Sequence, residues 1–197
     1  ENTPTHYARP ILAAALPLVR LSDRVNMITY GKQASPLWEE SRVANEEARQ
    51  ELIQGYGQDE SSLGEGYLMP ALDALEKQPP PEGTTRFVLL ISAGFEDDRV
   101  EAIERLDELS ETAVVIPVGP GSFSYRNFLA RAALPSGMPP VIIGDHNLAK
   151  NRFGLLALRL GPIQREGLTP VRDEGTDVTL MPSALGHLFA STPVTVV

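Results

Sequence analysis

Apolar positions along this chain recur in two alternating patterns, a helical spacing of about 3.6 residues and short continuous runs. The alternation predicts an α/β protein whose sheet is doubly wound, mostly parallel and covered by helices on both faces. An Ala-rich helix is expected first, over His6–Val19, stopping at Leu21-Ser22-Asp23. A strand over Val25–Tyr30 then turns at Gly31-Lys32 into a second short strand, Ala34–Leu37. Glu39–Gln54 is highly charged and free of Gly and Pro, which predicts an exposed helix. A further amphipathic helix is expected over Leu63–Glu76, and it cannot continue through the three prolines at positions 79, 80 and 81.

The second half carries the stronger strand signals. Phe87–Ile91 is a continuous apolar run, the pattern of a strand buried on both faces. A helix over Val100–Leu109, a second buried strand over Ala113–Val118 and a short helix over Tyr125–Leu134 follow. Pro140–Gly144 is the third buried strand, with a helix over Leu148–Leu160 after it. Beyond Gly161 the pattern loosens, with strands expected at Thr176–Leu180 and Pro193–Val197 and a helix over Ser183–Ala190 between them.

Composition narrows the function classes. At 197 residues and 42% hydrophobic content the chain suits one domain with a full core. Lys and Arg total 17 against 26 Asp and Glu, a formal charge of -9, which argues against nucleic acid and anionic lipid as partners. No cysteine is present, so disulfides, thiolate metal sites and cysteine nucleophiles are excluded. No apolar run approaches the roughly 18 residues of a membrane span, and the first residues lack the pattern of a signal peptide. A soluble protein is expected; the compartment stays open, with a lean toward the cytoplasm.

Three stretches in order carry a family resemblance. They are Asp23–Tyr30; then Ser61-Ser62-Leu63-Gly64-Glu65 with Ala71-Leu72 and Ala74-Leu75; then Phe87–Gly94 with Asp98. Together with Ala113–Gly119, and with Phe128-Leu129-Ala130 through Val141, Asp145 and Leu148, they resemble the von Willebrand factor A-type family over roughly residues 7 to 160. The specificity lies in the order and spacing of degenerate pieces. The resemblance implies a three-layer domain over 1–160, an extension over 161–197, and binding at the carboxyl edge of the sheet.

In many relatives that edge holds a divalent cation on hard oxygen ligands. The family's first loop carries an Asp-x-Ser-x-Ser pattern, which is absent here. The third loop usually supplies an Asp in a Thr-Asp-Gly context, where this chain reads Ser92-Ala93-Gly94. Ser61, with Ser62 as its neighbour, stands where the second loop supplies a threonine. One hydroxyl of five usual ligands is too little for Mg²⁺, so no metal and no cofactor are expected.

The family's central first strand is also missing, and an empty middle position would expose two strand edges. Two readings stand. In one, residues 193–197 supply that strand in a circularly permuted chain; in the other, the chain is a fragment.

Other candidate chemistry has plainer explanations. Asp98 is expected to cap the helix from Val100, and Ser62 to mark the start of the helix at Leu63. His6, His146 and His187 are scattered, without metal-helix pairing, and Asp145-His146-Asn147 reads as a polar cap for the next helix. Gly119-Pro120-Gly121 is not a dinucleotide fingerprint, and neither a phosphate-binding loop nor a Gly-x-Ser-x-Gly elbow occurs.

The expectation is therefore a non-enzymatic domain that binds a protein partner, or a scaffold, through Ser61, Ser62, Ala93, Gly94, Phe95, Glu96 and Asp97. Two alternatives accompany it. One is a metal-dependent adhesion module whose first loop lies outside this chain; the other is a Mg²⁺-dependent phosphotransfer enzyme using Asp97, Asp98 and Asp145.

Overall fold

The computed structural model describes residues 4–56, 66–94, 97–121, 124–137, 139–144, 163–165 and 188–189. The chain is mixed α/β, with a small parallel sheet packed between helices. Its strands are β5 (Arg86–Ile91), β6 (Ala113–Pro120) and β7 (Val141–Ile143), hydrogen-bonded in that order.

β6 is the central strand and is buried along its whole length. Alternate residues of a strand point to opposite faces, and β6 divides accordingly. Val114, Ile116 and Val118 pack with Val141 and Ile143 against Ile11 and Ala14 of helix α1 (Pro4–Ala15). Ala113 and Val115 face the other layer, made by α3 (Met69–Glu76), α4 (Arg99–Leu109) and α5 (Arg126–Ala133). There they meet Leu72, Leu106 and Leu129. β5 was expected to be the strand buried on both faces; instead only Leu90 is fully buried, and Phe87 is 48% exposed.

Two prolines inside β6 fit the ladder because of its register. Successive amides of a parallel strand address neighbours on alternate sides. The Val115 amide donates to the buried Ser136 hydroxyl at 2.8 Å, on the side away from β5. Pro117 has the same sense, but β7 pairs only with Val118–Pro120. Its missing N–H therefore lies where the ladder has no strand. Pro120 addresses the opposite side, beyond Val118, the last β6 residue paired with β5.

The first half departs further from expectation. The single strand over Val25–Tyr30 is two, β1 (Arg24–Val25) and β2 (Ile28–Tyr30), interrupted at Asn26. β2 pairs antiparallel with β3 (Ala34–Pro36), and β1 with β4 (Arg42–Val43). The Asn26 amide nitrogen donates to the Trp38 carbonyl at 2.8 Å and to Gln78 Oε1 at 2.7 Å, while its oxygen accepts from the Met27 and Trp38 amides. One side chain thus takes over the pairing that the strand gives up.

The charged helix starts later than expected, as α2 (Glu46–Gly55), because Asn45 caps it by accepting from the Ala48 amide at 2.8 Å. It is not wholly solvated. Ala48 and Leu52 join Leu16 and Trp38 in a second, smaller core. Trp38 Nε1 donates to Glu51 Oε2 at 3.0 Å, and Arg42 reaches both that carboxylate and the Trp38 ring.

Helix α3 is gripped at both ends, by the first residue of β5 and by the residue before α4. At its C-terminus, Arg86 donates to the carbonyl of Leu75 in the last turn and to that of Gln78 just past it. At its N-terminus, Asp98 accepts from the Leu68 amide at 2.9 Å and the Met69 amide at 2.7 Å. The signs match the helix dipole at each end, a favourable term of about 0.3–1 kcal/mol apiece.

The expected helix over Ser183–Ala190 is overturned where residues are described. Leu188–Phe189 is a strand, β9, paired antiparallel with β8 (Ile163–Arg165). The helix over Leu148–Leu160 and the runs Thr176–Leu180 and Pro193–Val197 lie outside the described residues, and with them the candidate central strand.

Candidate functional site at the carboxyl edge of the sheet

The loops after β5 and β6 are joined to each other. The Ser92 amide donates to Val118 at 3.0 Å, extending the ladder by one residue. Its buried hydroxyl accepts from the Gly94 amide at 2.7 Å. Gly94 has φ 80°, a region that side-chain-bearing residues rarely adopt. A Cβ placed there would lie 3.1 Å from both the Cβ and the carbonyl oxygen of Tyr125. The closeness has a cause, since the Tyr125 amide donates to the Ala93 carbonyl at 2.7 Å.

Beyond β6, the Gly121 amide donates to the Ile143 carbonyl at 2.7 Å, and the buried Ser124 hydroxyl donates to Pro120 at 2.9 Å. These bonds carry the chain back across the strand ends and deliver Tyr125 to the rim. Tyr125 is 41% exposed, and the Arg99 guanidinium lies 5.6 Å from its ring centre. Arg126 and Val100 are exposed beside them, Val100 at 74%.

Two acidic residues, Asp97 and Asp98, immediately precede Arg99. The Asp97 amide donates to the Gly66 carbonyl at 3.0 Å, with its side chain exposed. Asp98, expected to cap its own helix, makes no side-chain cap there. It caps α3 instead, because its carboxylate points back across the edge to Leu68 and Met69. Met69–Glu76 is accordingly the described helix; residues 66–68 lead into it without helical structure.

Of the seven residues expected at the site, Ala93, Gly94 and Asp97 are described. Ser61, Ser62, Phe95 and Glu96 lie outside the described residues, as do Asp145 and His146. Ala93 and Gly94 sit together, but Gly94 is buried behind Tyr125 and shapes the edge rather than facing outward. The sequence reading missed Tyr125, Arg99 and Arg126 as edge residues. Their signal was positional, since each stands at the start of a helix following a buried strand, where open α/β sheets place their binding crevice.

Ala93 offers the edge only its carbonyl oxygen, which the Tyr125 amide occupies. Among the described residues no group of three or more His, Asp or Glu side chains is placed to hold a metal ion. No helix among them is long and apolar enough to cross a membrane.

No family model matches the sequence, and no curated protein matches it. In three dimensions the chain is similar to the crystal structure of an aerotolerance-related membrane protein from Bacteroides fragilis NCTC 9343 with multiple mutations to serines. The TM-score is 0.63 at 14% identity, covering 78% of this chain and 87% of that one. At that identity the likeness shows a shared fold.

Proposed function

We propose that this chain is a protein-recognition or scaffold domain of the von Willebrand factor A type, binding a protein partner through the carboxyl edge of its sheet without catalysis. The observation that carries this reading is the bond from the Tyr125 amide to the Ala93 carbonyl. It ties the loops after β5 and β6 together and holds an aromatic ring at the rim, where relatives of this type present oxygen ligands for a cation. Aromatic and arginine side chains dominate the energetics of protein interfaces, and the Tyr125–Arg99 pair supplies both. The fold shared with the Bacteroides protein supports the architecture on which the reading depends.

A photo-crosslinking residue placed at Tyr125, and separately at Leu134 near the opposite end of α5, tests the reading in the native host. A discrete adduct from position 125 alone is the expected result. Adducts formed equally at both positions, or only at 134, would overturn it. So would a saturable heat of Mg²⁺ or Ca²⁺ binding to the chain that disappears when Asp97 becomes Asn.

A further inference from the structure

Helix α3 is fastened to two parts of the chain. Arg86 and Asp98 tie its ends to the elements around the parallel sheet. Further ties run to the β2–β3 hairpin and to the smaller core around Trp38. Before the helix, the Tyr67 amide donates to the carbonyl of Gly31, in the hairpin turn, at 3.2 Å. Past its last turn, Gln78 Oε1 accepts from Asn26 Nδ2 at 2.7 Å, and Gln78 Nε2 donates to the Trp38 carbonyl at 3.4 Å. Between these ties, Ile28 and Ala34 of the hairpin pack against the core that holds Leu68 and Leu72.

Gln78 is where the parts meet. Its amide donates to the Leu75 carbonyl at 3.1 Å, its carbonyl accepts from Arg86, and its side chain reaches Asn26 and Trp38. Three prolines follow, each with a fixed φ and no N–H, so the chain leaves this joint stiffly. Asn26 is fully engaged there. Its Nδ2 donates to both Trp38 and Gln78, and its Oδ1 accepts from the Met27 and Trp38 amides, which uses both donors and both acceptor positions. A shift of Gln78 leaves one of those partly buried donors unmet, so the contact is made or lost rather than stretched.

We infer that α3 and the β2–β3 hairpin act as one unit that couples the Trp38 core to the carboxyl edge of the sheet, with Gln78 as the joint. A helix of eight residues spans about 12 Å and does not persist alone, so its fastenings set its position. One extremity lies at the Asn26–Gln78 joint, which reaches α2 through the bond from Trp38 Nε1 to Glu51. The other lies at the edge, where Leu68 and Met69 donate to Asp98 and Gly66 accepts from Asp97. A change that displaces α2 is thereby felt at the residue that opens α4. This coupling belongs to the fold and is independent of what the edge binds.

Native-state amide exchange in the whole chain, read at Leu68 and Met69, tests the coupling. Gln78→Ala removes the joint from one side; Asn26→Asp removes it from the other while keeping an oxygen for the Met27 and Trp38 amides. Each should speed exchange at Leu68 and Met69 about tenfold more than at Val115 in β6, and Lys77→Ala, an exposed change beside the joint, should not. Glu51→Gln, at the α2 end, should produce a smaller acceleration at the same two amides in wild type and none in the Gln78→Ala background. Exchange at Leu68 and Met69 that rises no more than at Val115 in either joint variant would overturn the inference. An equal response to Lys77→Ala, or a Glu51→Gln effect that persists without Gln78, would also overturn it.

Discussion

The carboxylate of Asp98 accepts the amide of Met69 at 2.7 Å, so the residue that opens α4 terminates a different helix, α3. Leu68 and Met69 would otherwise begin that helix with unsatisfied donors. Asp98→Ala should destabilise the chain by about 1–2 kcal/mol in urea unfolding. Exchange of the Leu68 and Met69 amides should accelerate ahead of amides in β6. Unchanged exchange at those two positions would show that the bond contributes nothing.

Gly94→Ala combines an unfavourable backbone conformation with crowding against Tyr125 and Phe128. A loss of about 1–3 kcal/mol is expected. The fluorescence of the single tryptophan, Trp38, which is buried in the folded chain, followed in urea, measures it. An unaltered midpoint would mean that the two loops relax apart at no cost.

Ser136→Ala leaves the buried Val115 amide without its acceptor. An orphaned buried donor costs about 1–3 kcal/mol, and exchange at Val115 should rise more than exchange at Val114. Equal protection at both residues would rule out this role for Ser136.

Burial raises the Tyr56 phenol above its ordinary value of 10.0. An acid whose pKa is raised in the folded state leaves stability unaffected below the unfolded value and lowers it as pH rises from there toward the folded value. Wild type should therefore lose stability above pH 10, and Tyr56→Phe should lose less, as urea melts on either side of that pH would show. Parallel losses in the two proteins would exclude Tyr56 as the source.

The sheet was legible because its signal is local. Ala113–Val118 is apolar at every position, the pattern of a strand buried on both faces, and β6 is buried throughout. β5 reads the same way, yet its burial depends on neighbours the run does not specify, and Phe87 ends half exposed. Asn45 was a readable cap that the charge of the following residues obscured. Asn26 was not readable, since its partners Trp38 and Gln78 are remote in sequence and become neighbours only after packing. The same holds for the site. Ala93 and Gly94 could be placed from the end of a strand, whereas Tyr125, which packs against Gly94, comes from 31 residues beyond it and is identified by a backbone bond.

Helix α3 has only eight residues, too few to persist alone in water. With Arg86 at one extremity and Asp98 at the other, its docking is polar in the compass sense. Turned end for end, the same segment would set a guanidinium against amide donors and a carboxylate against carbonyls. Misdocking is thus met by repulsion at both poles, and the layer beside the sheet's carboxyl edge can settle in a single orientation.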